Sequence, residues 1–300
     1  ACITSNVSQA AGRSGLGAVM GSKNLKAIAV RGSTNLGLAD TKLMQLTAKW
    51  IISSYKTAMD WAVEAGTSGS VKFLHDIGST PNHNYQDSSF AQIANLDAEH
   101  FFPILLQGRD TCNHCSVRCK IVVAYGDGEI KIDAQYGGPE YESIGGLGPL
   151  CMIGDPVVVA KANELCAAYG LDTISAGGTI AFTMECVEKG LLKPKEGEFL
   201  PVFGSGADLL ESIHRIVYRR DIGNLMAEGS LRMARSIGVE AVDLTATTRG
   251  QEMPLHDPRF RNATGLGYAL SPTGADHMHN INDFHANNPG SDTCARLSEI

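Results

Sequence analysis

The sequence predicts a mainly α-helical protein with a small β contribution (α+β), and three observations lead there. Segments with helix caps at both ends follow one another between residues 155 and 237; apolar residues recur at helical spacing; only three short stretches read as strand. The bulk numbers agree. With 43% hydrophobic and 19% charged residues among 300, the chain is ordinary for a globular protein and long enough to bury a sizeable core.

Residues 12–32 hold Gly12, Gly15, Gly17 and Gly21 ahead of a short β-like run, Ala27 to Val30. A helix is expected from about Asp40 to Ala65, with Leu43, Leu46, Trp50 and Ile51 on one face and Met59, Ala62 and Val63 extending the stripe. Residues 76–99 are polar and turn-rich and read as a functional or surface loop. The runs 121–125 and 129–133 flank Gly126-Asp127-Gly128 and predict a β-hairpin. Asp155 caps the next helix, Pro156 suits its first turn and Gly170 ends it. A second helix spans about Thr173 to Lys189, and others are expected at 207–219 and 224–237. The last sixty residues, rich in Pro, Gly, Asn, Asp and His, read as mostly loop.

The formal net charge of -7 argues against a nucleic-acid or membrane-surface binder, because both usually show a basic patch and none is found. No apolar run approaches the roughly 20 residues that span a bilayer. Ala1 to Gln9 has neither the basic nor the apolar region of a signal peptide. Eight cysteines are too unevenly placed for a secreted disulfide scaffold, and a cytoplasmic location is expected.

Three of them, Cys112, Cys115 and Cys119, have a spacing that lets three thiolates from one loop converge on a metal centre. Spacing alone leaves iron–sulfur and zinc open, with His114 or a distant cysteine as a possible fourth ligand for zinc. The glycine segment lacks the spacing of a Walker loop. With Arg13, Ser22 and Lys23 it offers either a phosphate site or a tight structural turn. Two stretches are acid/base candidates: Glu140, Tyr141 and Glu142 around a turn, and His277 with His279 in a glycine-bounded loop. Each alone is more often a solvated loop. Brought together, a Glu and a His supply the proton acceptor and donor that oxidation of a hydrated carbonyl requires.

In this order, the segments resemble the tungsten-dependent aldehyde:ferredoxin oxidoreductase family. The blocks are AAGRSGLGAVMGSKNLKAIAVRG (10–32), the CxxCxxxC at 112–119, GPEYES (138–143), ANELCAAYGLDTIS (162–175), MECVEKGLL (184–192), DIGNLMAEG (221–229), EMPLHDPR (252–259) and YALSPTGADH (268–277). The resemblance implies a bis-pterin tungsten or molybdenum centre beside a [4Fe–4S] cluster held by Cys112, Cys115 and Cys119, with a fourth ligand outside this segment. Ala10, Gly12, Arg13, Gly15 and Gly17 would border the pterin phosphates and their bridging Mg2+. Gly170, Leu171 and Asp172 resemble the end of a DxxGLD pterin-binding element, whose first aspartate is Ala167 here. Glu142, with Tyr141 and Glu140 beside it, and His277 would handle protons near the metal.

The resemblance further implies that 1–36 end a pterin-binding β-domain, that 37–246 form a helical domain carrying the cysteines, and that 247–300 begin a third domain. An internal portion of a longer chain, working in an oligomer or multi-subunit complex, is expected. The activity implied is aldehyde oxidation to carboxylic acids, with electrons passing to ferredoxin or an iron–sulfur electron-transfer subunit. Two alternatives are a tungsten subunit reducing an aromatic acyl-CoA of benzoyl-CoA type, and a non-catalytic zinc-binding scaffold.

Overall fold

The computed structural model describes residues 1–34, 37–194 and 196–278, so His279, Cys294 and the end of the expected third domain lie outside it. It is mainly helical, with three small two-stranded antiparallel sheets among the described residues. The chain enters through β1 (Ile3–Ser5) paired with β2 (Gln9–Ala11), then α1 (Leu16–Ser22). The expected strand at Ala27 to Val30 is absent; that stretch is exposed and pairs with nothing.

The helix expected over 40–65 is two helices, α2 (Thr41–Ala58) and α3 (Asp60–Ala65), broken at Met59. Asp40 caps α2 through Leu43 N, as its residue type favours. The apolar stripe of α2 does not face the core: none of its residues is buried, and Trp50 is 67% exposed. Periodicity predicts that such a face needs a partner surface; it does not say which surface.

α4 (Val71–Asp76) leads into the polar segment 76–99. This is loop as expected, but an internal one: Ser79, Thr80, Asn82 and Asn84 are buried, and Ile93 and Leu96 join the main core. α5 (Ala98–Leu105), with Pro103 inside it, then delivers the chain to β3 (Leu106–Asp110). β3 pairs with β4 (Lys120–Val123), with Asp110 opposite Lys120, so the cysteines occupy the connection between these strands. The predicted hairpin over 121–133 is therefore corrected. It survives as a single bridge, Tyr125 to Ile132, because β4 spends its backbone groups on β3.

The core is built from α6 (Tyr141–Leu147), α7 (Pro156–Tyr169) and α8 (Thr173–Glu188), with α9 (Gly206–Tyr218), α10 (Ile222–Met226), α11 (Ser230–Ile237) and α12 (Val239–Val242) around them. α7 runs from Asp155, whose carboxylate accepts from Val157 N and Val158 N, to Gly170 in the left-handed conformation, both as read from the sequence. α9 buries Leu209, Ile213 and Ile216, the spacing of one helical face. The helix expected over 224–237 is divided between α10 and α11, because Gly229 (φ +85°) breaks the run and the buried Glu252 carboxylate accepts from Ser230 N. α6 and α8 approach so closely that a Cβ on Gly177 would lie 2.3 Å from the carbonyl oxygen of Gly146 in α6. Only glycine allows this contact, and it sets the last turn of α6 against the first turns of α8.

The tail is less irregular than expected. β5 (Thr247–Thr248) pairs with β6 (Gln251–Glu252), and α13 (Asn262–Leu270) forms on the burial of Thr264 and Tyr268. Among the described residues, no single helix is long and apolar enough to cross a membrane.

Candidate functional site

A cavity of about 700 Å³ opens where the N-terminal hairpin, the base of β3–β4, the first turn of α6 and the start of α8 meet. Eight of the residues singled out from the sequence line it: Ala10, Gly12 and Arg13 on one side, Leu171 and Asp172 on another, and Glu140, Glu142 and His277 across from them. Gly15, Gly17 and Gly170 lie outside the lining and act through the backbone. Gly170 holds the end of α7, and its carbonyl accepts from Cys2 N at 2.7 Å. A Cβ on Gly17 would meet the Cys2 carbonyl oxygen at 2.2 Å.

Glu142 stands in the first turn of α6, on the cavity wall. Its Oε2 accepts from Leu255 N at 2.8 Å. Its Oε1 has no aligned hydrogen bond; His256 Nε2 stands 3.2 Å away and His277 Nε2 3.7 Å away. These donor and acceptor atoms all lie within 4.8 Å of one another, the one such group of three among the described residues. His256 is pushed down to about 4, chiefly by burial, with His277 and Arg261 adding to the effect and Glu142 opposing it. It is a neutral imidazole at neutral pH.

Tyr141 does not line the cavity. Its ring is buried and its hydroxyl donates to Leu255 O and meets Thr80 Oγ1 at 2.9 Å. Burial, then the neighbouring Glu142 charge, raises its pKa far above the usual phenol value. Such a hydroxyl fixes the Leu255 backbone and is not free to move protons. Glu140 touches the cavity but is tied down, by Thr67 Oγ1 to one oxygen and Lys120 Nζ (3.4 Å) to the other.

Asp172 caps α8: Oδ1 accepts from Ile174 N at 3.3 Å and Oδ2 from Ser175 N at 3.2 Å. Arg13 Nη1 lies 3.5 Å from the same carboxylate, while Nη2 donates to Glu252 O (2.6 Å) and Ala275 O (2.7 Å). Arg13 thus ties the glycine-rich segment to α8 and to both loops that carry the histidines.

Cys112 is exposed, whereas Cys115 and Cys119 are half-buried. Cys115 N donates to Cys112 O, and Thr111 Oγ1 donates to Cys115 O at 2.6 Å, closing the loop into a tight turn. Burial and the charge of Glu140 raise the Cys119 thiol. The three sulfurs do not form a set within 4.8 Å, the span expected around one ion. Ligands to a cluster bond different irons and stand further apart, so this spacing disfavours a ready-made zinc site without bearing on a cluster. The strand residues at the foot of the cysteine loop, Asp110 and Lys120, both line the cavity.

Sequence reading missed His256 and Glu252. Both sit in the block 252–259 noted above, Glu252 buried and His256 half-buried in a segment that composition describes as loop. The signal available was a His flanked by Pro254, Leu255 and Pro258, a stiff apolar setting that solvated loops seldom show.

Residues 44–294 match the family model described as aldehyde ferredoxin oxidoreductase, domains 2 and 3, and residues 1–32 match that of its N-terminal domain. Tungsten-containing aldehyde ferredoxin oxidoreductases of Thermococcus kodakarensis and Pyrococcus furiosus are 36% and 35% identical to the chain over 285 residues, 93% of it and 46% of each of them. The WOR-like subunit of a Pyrococcus furiosus aliphatic sulfonate oxidoreductase is 28% identical, over 92% of this chain and 45% of its own. Among solved structures, a chain of the active-site complex of benzoyl-coenzyme A reductase shares the fold, with a TM-score of 0.70, 22% identity and coverage of 91% of this chain and 43% of that one. The chain spans less than half the length of these relatives.

Proposed function

The chain belongs to the aldehyde ferredoxin oxidoreductase family, and on that premise we propose that the full-length protein is a tungsten- or molybdenum-pterin oxidoreductase that converts aldehydes to carboxylic acids. The observation that carries this reading is the cavity itself: segments distant in sequence deliver Gly12, Arg13, Asp172, Glu142 and His277 to one space of about 700 Å³. The residues present fit a bound pterin-metal group in two respects. Glu142 Oε1, His277 Nδ1 and Arg13 Nη1 are buried polar atoms without hydrogen-bond partners. The wall at Gly12 carries no side chain, leaving the backbone close to Asp172 and Cys2.

The reaction is R–CHO + H2O → R–COO− + 3 H+ + 2 e−. The metal-pterin group, when bound, supplies the two-electron acceptor for this step. The chain's own residues do the rest. Glu142 takes a proton from the hydrated carbonyl, and His277, 3.7 Å away, passes it toward the open side of the cavity. Ala10, Gly12 and Arg13 would hold the pterin phosphates and their Mg2+, and Leu171 and Asp172 would border a pterin ring. Cys112, Cys115 and Cys119 would supply three thiolates to a [4Fe–4S] cluster, which would provide one-electron transfer toward ferredoxin or an electron-transfer subunit. The adjacency of Asp110 and Lys120 to the cavity supports that route.

Metal analysis of the purified full-length protein tests the reading. About four irons and one tungsten or molybdenum per chain are expected for one such cluster and centre. Zinc alone would sink it in favour of a scaffold. An acceptor-linked assay then separates aldehyde oxidation from the alternative, reduction of an aromatic acyl-CoA such as benzoyl-CoA.

A further inference from the structure

His256 follows Leu255, a residue held on both sides: its N–H donates to Glu142 Oε2, and its carbonyl accepts from Tyr141. The imidazole lies over the Tyr141 ring, with centroids 5.1 Å apart and planes 26° from parallel. Its Nε2 is 3.2 Å from Glu142 Oε1, and its ring centre is 5.4 Å from that of His277. Nδ1 is buried with no partner, whereas Nε2 faces a carboxylate, so the single proton of the neutral ring belongs on Nε2. Glu142, His277 and Arg261 are the charged or titratable groups that bear on it, with Tyr141 beneath.

We propose that His256 is a positioning residue: stacked on Tyr141 with Nε2 3.2 Å from Glu142 Oε1 but unaligned, it closes an Nε2–H hydrogen bond onto that oxygen when the cavity is filled, while Leu255 N–H holds Oε2, fixing the carboxylate in one orientation toward His277. A carboxylate held on one oxygen only is free to turn about its terminal torsion. Held on both, it keeps its free lone pairs aimed into the cavity. Burial supplies a second condition, since a ring that stays neutral down to about pH 4 offers one N–H and no competing charge. The inference rests on the functional reading above, in which Glu142 is the proton acceptor, and adds to it the residue that aims that acceptor.

The test compares the full-length, metal-loaded protein with its H256F and H256Q variants. Phenylalanine keeps the stacking and removes the donor; glutamine returns an N–H close to the Nε2 position. With a short aliphatic aldehyde, H256F is expected to lose about a hundredfold in kcat at unchanged KM, the scale of a misplaced reacting group. H256Q is expected to recover to within about threefold of wild type, since its amide restores the hydrogen bond. Crystal structures of the three should show Glu142 in one orientation in wild type and H256Q and turned in H256F. Equal losses in both variants, or an unmoved Glu142 in H256F, would overturn the proposal. If H256F does not fold, a displaced Glu142 in folded H256Q does the same. If the wild-type protein oxidises no aldehyde, the functional reading fails, while the orientation of Glu142 still decides the role of His256.

Discussion

Asp172 offers the sharpest separation of structural from cofactor duty, because the resemblance assigns it to a pterin while the fold uses it as a cap. Its carboxylate accepts from Ile174 N and Ser175 N at the start of α8 and lies 3.5 Å from Arg13 Nη1. Asp172→Ala removes a helix N-cap, worth about 1 kcal/mol. It also leaves the Arg13 guanidinium, 19% exposed, without its carboxylate, at a cost of about 1–2 kcal/mol. Asp172→Asn keeps one capping acceptor and loses only the charge. The expected destabilisations are therefore about 2–3 kcal/mol for Ala and about 1 kcal/mol for Asn. Urea unfolding of the metal-free full-length protein, followed by circular dichroism at constant m, measures both. An Asp172→Ala variant within about 0.5 kcal/mol of wild type, yet depleted of tungsten, would refute the structural reasoning and make Asp172 a ligand first.

Two further outcomes are expected. Gly17 and Gly21 share one short helix, but a Cβ at Gly17 would strike the Cys2 carbonyl at 2.2 Å, whereas nothing lies within 4 Å of one at Gly21. Gly17→Ala should cost about 1–3 kcal/mol and Gly21→Ala should gain up to about 1 kcal/mol in the same unfolding assay; equal effects would remove the close approach from the account. Stability should also fall on acidification through His256. The unfolded chain takes up this proton near the usual 6.5, the folded one only near 4, so the unfolded state binds more protons between these values. The folded state loses about 3 kcal/mol as pH drops from 6.5 to 4, and none of this loss lies above 6.5. His256→Phe should flatten that part of the stability–pH curve, and an unchanged slope would assign the loss to other groups.

The helices that could be read from the sequence are those whose ends are written locally. Asp155, Pro156 and Gly170 delimit α7, and Asp172 opens α8, within one or two residues of expectation. α6 and α13 carried no such signals. α6 holds Gly145 and Gly146, poor helix formers, and exists because Leu255 packs against Gly145 and α8 lies against Gly146. β3 was hidden for a similar reason: its partner β4 lies beyond the cysteine loop, and a strand with mixed burial shows no alternation to read. α2 failed differently. Its amphipathic pattern is present, but the described residues supply nothing to cover it.

The site divides along the same line. Arg13, Glu142 and His277 were legible because their residue types stand in short glycine-bounded motifs, Asp172 only through the family resemblance, and the fold gathers all four around one cavity. What sequence order cannot convey is which of them is free to act. Tyr141 and Glu140 sit beside Glu142 in the chain and have the same apparent chemistry, yet Thr80 and Leu255 engage the first and Thr67 and Lys120 the second. Glu142 alone of the three keeps an oxygen without a hydrogen-bond partner, directed at two imidazoles. That difference arises from residues 60 or more positions away on either side, apart from Lys120. It follows that the segment 251–257, which no motif marked as chemical, governs the site: it supplies the carbonyl that Arg13 grips, the N–H that holds Glu142 and the imidazole that faces it.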